Sequence, residues 1–250
     1  MSTPIDISEE GGVRYLHFGS EWIQGAMRVR APNALELMYT REMMAGLLMR
    51  TAPWPRNALV IGLGAASVAK FLYHYCPQTV LDIVEIEPRV VAAARQFFHL
   101  PPESARFRIH IGDGVAHVLA GGSGYDLILV DGFDENARAG ALDTLPFYQA
   151  ARARLSDQGL LAANLFGRSR GFHRSIERII TAFDDRAVAF PSCDSGNVIA
   201  FGAAGERVEV TAFDLRLRAQ ELKQDTGLDL LPTVARLEQA GSLPGGTLVL

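Results

Sequence analysis

Four short apolar runs in this 250-residue sequence end in residues able to bind or transform a small molecule. Ala58–Ile61 runs into Gly62-Leu63-Gly64-Ala65-Ala66-Ser67, and Val80–Glu85 leads into Ile86-Glu87-Pro88. Phe107–Ile111 is followed by Gly112-Asp113-Gly114, and Asp126–Val130 by Asp131-Gly132-Phe133-Asp134. Small residues after the first run let a backbone approach a ligand closely, and a helix opening there presents free N–H groups. A dinucleotide fingerprint would place a third glycine at position 67, where Ser67 stands. An acidic side chain ending the second strand can accept both hydroxyls of a ribose. Glu85 suits that role better than Glu87, which stands where it caps the helix that Pro88 starts. Helix capping would account for two of the acids at these run ends, hardly for all of them. The set therefore reads as a nucleoside pocket with Asp131 and Asp134 beside it, where the short Gly132-Phe133 turn can direct both carboxylates into one crevice.

These residues act together only if their runs are neighbouring strands. Continuous apolar strands between helical stretches indicate a parallel sheet covered on both faces, with ligands held outside the carboxyl ends of the strands. A further strand at Leu160–Asn164, a helix near Ser169–Phe183 and a closing antiparallel pair, Ala187–Phe190 and Asn197–Phe201, complete an α/β fold. Its doubly wound, mostly parallel sheet has seven strands. Upstream, two aromatic and β-branched runs flank Gly19-Ser20 and predict a β-hairpin. Apolar residues at helical spacing predict a helix from Leu35 to Met49, closed by Pro53 and Pro55. Residues 212–240 read as two helices around Thr226-Gly227, and Gly241–Leu250 as a loose tail. The expected organisation is an N-terminal β-hairpin domain at 1–33, a nucleoside-binding α/β domain at 34–205 and a C-terminal helical extension at 206–250.

With 48% hydrophobic residues the chain can bury a sizeable core. A net charge of -4 gives no bulk attraction to nucleic acid or an anionic membrane surface. Only two of the 24 basic residues, Lys70 and Lys223, are lysines, a bias that reads as genomic composition. Cys76 and Cys193 form no metal-binding or disulfide pattern, and none of the six histidines has ligand spacing, so no metal is expected. The first residues resemble no secretory signal, and no apolar window is long enough to span a membrane. A reducing cytoplasm is the expected setting.

Taken in order, Gly62-Leu63-Gly64, Glu85, Asp113 and Asp131 resemble the S-adenosylmethionine-dependent methyltransferase fold. More narrowly, the chain resembles the spermidine/spermine synthase family of polyamine aminopropyltransferases built on that fold. The narrower resemblance takes in Gln24 before the helix, Tyr39-Thr40-Arg41-Glu42-Met43-Met44 and Val84-Glu85-Ile86-Glu87. It continues through Asp131-Gly132-Phe133-Asp134, Leu142, Phe147-Tyr148 and Asn164, where the family has Gln. It implies transfer of an aminopropyl group from decarboxylated S-adenosylmethionine to a di- or polyamine such as putrescine, releasing 5′-methylthioadenosine. Gln24, Gly62, Gly64, Glu85 and Asp113 would hold the donor, with Asp113 on the adenine amino group. Asp131 would orient and deprotonate the attacking amine, and Tyr39, Asp134 and Asn164 would hold the polyamine. The family commonly forms homodimers; the sequence itself gives no direct sign of one.

The loop after the first strand departs from the family, which carries Gly-Gly-Gly-Asp-Gly-Gly there and uses its Asp to hold the donor's amine. Ala65 stands at that position. Losing a charge-assisted contact costs about 1.5–3 kcal/mol of binding, and a neutral loop at a helix N-terminus also accommodates the carboxylate of ordinary S-adenosylmethionine. Two other readings therefore stay open at this stage: an S-adenosylmethionine-dependent methyltransferase and a non-catalytic adenosyl-binding homologue.

Overall fold

A computed structural model describes residues 4–19, 23–122, 124–133, 138–169, 171–192 and 196–250. The chain opens with β1 (Ile5–Glu10), β2 (Val13–Phe18) and β3 (Ile23–Arg28), an antiparallel three-stranded sheet. The expected hairpin thus gains a strand at its N-terminal side, paired from Ile5 opposite Phe18 to Glu10 opposite Val13. The helix expected over Leu35–Met49 is shorter: α1 (Met38–Met43) passes into a 3-10 turn at Met44–Leu48. Leu37 offers no side-chain cap, and Gly46, a poor helix former, falls in the tightened turn.

The main unit alternates β4 (Asn57–Ile61), α2 (Ser67–Tyr75), β5 (Val80–Glu85), α3 (Pro88–Phe97), β6 (Phe107–Ile111), α4 (Gly114–Leu119) and β7 (Tyr125–Val130). It continues with α5 (Leu145–Ala153), β8 (Leu155–Phe166), α6 (Phe172–Ala182), β9 (Ala187–Ala189) and β10 (Asn197–Ala203). These strands form a seven-stranded sheet in the order β6-β5-β4-β7-β8-β10-β9, parallel from β6 to β8, with β10 antiparallel to both its neighbours. Alternation along each strand divides the core between the two faces. Ala58, Val60, Leu127 and Leu129 pack with α2 and α3 on one side, while Leu59, Ile61, Ile128 and Val130 pack with α5 and α6 on the other. Lys70, which interrupts the apolar run in sequence, is buried on α2 and donates from Nζ to the Phe98 carbonyl at 2.7 Å.

After β10 come β11 (Glu209–Thr211), α7 (Ala212–Thr226), α8 (Leu231–Gln239) and β12 (Thr247–Val249). The last segment is no loose tail. β12 pairs with β11, Leu248 and Leu250 are buried, and Val208 and Leu250 exchange backbone hydrogen bonds. A strand of three residues is too short to show periodicity in the sequence. No helix among the described residues is long and apolar enough to cross a membrane.

Strand order reverses between β4 and β7, the switch point at which open α/β sheets hold ligands. Ile61 sits opposite both Val84 and Val130, and Glu85 opposite Ile111, so the informative strand ends finish at one level. Gly62 donates to the Val84 carbonyl, Gly112 to Glu85 and Asp131 to Ile61, each at 2.9 Å. Gly62 has φ +92°, and a Cβ there would lie 2.2 Å from the Asp131 carbonyl oxygen. Gly62→Ala combines a left-handed backbone with an overlap against main chain, an expected loss of about 2–4 kcal/mol in urea unfolding. A loss within about 0.5 kcal/mol, typical of surface substitutions, would contradict this close approach.

Candidate active site

A cavity of about 840 Å³ opens where these strand ends meet. Its floor is the turn from β4 into α2, where Gly62, Gly64 and Ala66 all have positive φ. Ala66 precedes α2 without a side-chain cap, so the helix turns backbone donors toward this edge. Strand β3 is fastened over the turn: Ser67 Oγ donates to the Ala26 carbonyl at 2.9 Å, and a Cβ on Gly25 would lie 2.6 Å from that of Ala65. The pairing of β2 with β3 slips here, from Leu16 opposite Gly25 to His17 opposite Ile23. Gln24 is the extra residue of this bulge and lines the cavity. Bulges commonly redirect a side chain beside a site.

Glu85 ends β5, is buried, and lines the same cavity. Its Oε2 accepts from Leu63 N at 2.8 Å and its Oε1 from Glu87 N at 2.9 Å, so the carboxylate braces the glycine turn against β5. Burial pushes this carboxyl above its ordinary range, while the N–H groups of Glu87, Leu63 and Ile86 pull it back. A carboxylate has about four acceptor positions, which leaves capacity for a ligand's hydroxyls. Glu87 caps α3 as its position suggests, accepting from Arg89 N at 3.0 Å. Asp113 does both things: it caps α4 through Ala116 N at 2.8 Å and lines the cavity.

Asp131 follows β7 and accepts two hydrogen bonds: Tyr39 OH donates to Oδ2 at 3.2 Å and Asn164 Nδ2 to Oδ1 at 2.9 Å. Tyr39 comes from α1 and Asn164 from β8, so elements distant in sequence converge on one carboxylate. Burial pushes the Asp131 carboxyl above the usual carboxylate range, opposed by those two donors. Burial and the neighbouring Asp131 charge push the Tyr39 phenol well up, which keeps it a donor. Glu42, in the same helical segment, is buried away from this group and forms an ion pair with Arg236 on α8. Tyr148 likewise serves the core, donating to Asp143 Oδ1 at 3.1 Å. Asp134 lies outside the described residues.

Gln24, Tyr39, Gly62, Gly64, Glu85, Asp113, Asp131 and Asn164 therefore all border one space. Asn197, unremarkable in the sequence, borders it too and donates from Nδ2 to Asn164 Oδ1 at 2.9 Å. Among the described residues no cluster of three or more His, Cys, Asp or Glu is arranged to hold a metal. One side of the cavity offers acceptors and backbone donors suited to a nucleoside. The other offers a carboxylate of raised proton affinity.

A profile of the spermine/spermidine synthase domain matches residues 36–168. The polyamine aminopropyltransferase of Chromobacterium violaceum is 38% identical over 247 residues, covering 98% of this chain and 94% of its own. The chain belongs to the spermine/spermidine synthase family. A second member of that family, the polyamine aminopropyltransferase of Neisseria meningitidis serogroup A, is 36% identical over 94% of this chain and 89% of its own. The crystal structure of a probable spermidine synthase from Corynebacterium glutamicum shares the fold, with TM-score 0.71 and 21% identity over 88% of this chain and 83% of that one. The family read from the glycine turn and the strand-end acids is thus the one the whole chain matches.

Replacing Glu85 removes both a brace of the turn and the acceptors it turns to the cavity. Glu85→Ala is expected to weaken binding of 5′-methylthioadenosine by about 1–3 kcal/mol in calorimetry. Unchanged affinity would take Glu85 out of the nucleoside pocket.

Proposed function

We propose that this protein is an aminopropyltransferase acting on decarboxylated S-adenosylmethionine and a di- or polyamine such as putrescine. The observation that carries the reading is Asp131, a carboxylate of raised proton affinity held by Tyr39 and Asn164 beside the glycine turn, in the cavity that Glu85 also lines. An amine attacks the sulfonium-bound carbon only through its free lone pair. As the C–N bond forms and the C–S bond breaks, the sulfur leaves as the thioether of 5′-methylthioadenosine, and Asp131 takes the proton the amine loses. Glu85 and Gln24 hold the donor's ribose and sulfonium region and Asp113 its adenine amino group. Tyr39 and Asn164 border the acceptor amine, and Asp134 anchors its distal ammonium. No metal enters this scheme. A cytoplasmic setting and a homodimer are what the family resemblance leads us to expect, and sedimentation velocity tests the dimer.

Asp131 must be ionised to accept the proton, and burial raises its carboxyl. Turnover is therefore expected to fall as the pH drops through a value above the ordinary carboxylate range. Asp131→Asn keeps the shape without the acceptor, so single-turnover rates with a diamine should fall by about 10²–10⁴-fold while donor affinity changes little. A variant with near-parental rates would overturn the assignment. If the parent turns over no amine in a panel with either donor, an adenosyl-binding role replaces catalysis.

Donor choice rests on Ala65, which leaves the turn without an anion where the donor's amine would lie. Ala65→Asp should shift the ratio of dissociation constants toward the decarboxylated donor, because the added anion repels the carboxylate of ordinary S-adenosylmethionine. An unmoved ratio would show that position 65 does not face the donor tail.

A further inference from the structure

We infer that Asn197, at the start of β10, is a positioning residue for Asp131 and acts through the side chain of Asn164. The inference rests on the reading of Asp131 as the proton acceptor. Because β10 runs antiparallel to β8, its first residue, not its last, lies at the edge where the parallel strands end. Register sets Asn197 opposite Phe166 and Ile199 opposite Asn164, and Asn197 reaches back along the pair to Asn164 Oδ1 at 2.9 Å.

A carboxamide has one face that accepts and one that donates. Asn164 is 4% exposed and can turn either face toward Asp131. With its NH₂ forward it donates to Asp131 Oδ1, as observed, and favours the ionised carboxylate. With its oxygen forward it would oppose that carboxylate and instead accept from the protonated acid. The donor at Asn197 selects between the two, since it requires the Asn164 oxygen on the side away from Asp131. The role assigned to Asn197 is indirect: it holds the amide that holds the base. Tyr39 from α1 donates to the other carboxylate oxygen and does not depend on Asn197. Among the described residues, Glu85, Glu87 and Arg89 around β5 and α3, Asp113 before α4, and Arg138 in the loop after β7 are the other charged groups sharing the cavity with Asp131. A substitution at position 197 leaves all five in place.

The test compares pH profiles of kcat for the full-length parent, Asn197→Leu and Asn197→Asp, alongside melting temperatures and the donor KM. Leu keeps the approximate shape without a donor, and should lower kcat by about tenfold at pH values on the acid side of the limb. The acid limb should move up by about one pH unit, and kcat should recover at higher pH. Asp is acceptor-only when ionised, draws the Asn164 NH₂ toward itself and adds a nearby negative charge, so its limb should move further. The donor KM should stay near the parental value in both. A lower melting temperature with an unmoved limb would make Asn197 merely structural and overturn the inference. Asp131→Asn separates the two readings: if it loses turnover while both position-197 variants keep the parental limb, only the role of Asn197 fails. If Asp131→Asn keeps near-parental turnover, the reading of Asp131 fails and this inference falls with it.

Discussion

Between Gly62 and the carbonyl of Asp131 there is no room for a side chain, and the architecture of the cavity follows from that contact. It joins the first and fourth strands of the parallel sheet at the point where strand order reverses. Asp131 N also donates to the Ile61 carbonyl, so the residue after β7 is fixed to the residue before the glycine turn. The glycine turn and the proposed base consequently sit on one backbone unit. Main-chain hydrogen bonds set where their backbones lie, and Tyr39 and Asn164 then hold the Asp131 carboxylate, the form of preorganisation that positioned chemistry needs.

The acids around the cavity also serve the fold. Glu85 braces the turn through Leu63 and Glu87, and Asp113 caps α4, yet both border the space a ligand would fill. A carboxylate tied to backbone N–H groups is oriented before a ligand arrives, so binding need not order it. Asking whether such a residue is structural or functional poses a false choice, because the hydrogen bonds that hold it in place also aim its remaining lone pairs. Glu87, also at the cavity's border, has its carboxylate engaged by the cap of α3 and by the ion pair with Arg89.

Much of this was legible from local pattern. β5 and β6 have the bounds their apolar runs suggest, and the acids at the ends of β5, β6 and β7 fall at one edge because parallel register aligns the strand ends. What escaped depended on partners remote in sequence. The 3-10 turn at Met44–Leu48 breaks a helical pattern whose apolar spacing still looks regular, and β12 exists only by pairing with β11. The extra residue at Gln24 comes from a slip in pairing that composition does not reveal. Asn197 is the clearest case. It carries no motif, and its place at the cavity comes from the antiparallel direction of β10, a property of topology and not of residue type.

The N-terminal sheet deserves to be seen as a docked part of the binding site. It supplies Ile5, Phe18, Ile23 and Gln24 to the cavity wall and is fastened through Ser67 to Ala26 and through Arg14 Nη1 to the Phe97 carbonyl at 2.7 Å. An occupant that reached both walls would couple the sheet to the α/β unit. A ligand that binds only the docked state stabilises it by RT ln(1 + [L]/Kd). For such a ligand, affinity and the docking of the N-terminal sheet would be two measures of one free energy, and loosening the sheet would weaken binding while every residue of the glycine turn stayed intact.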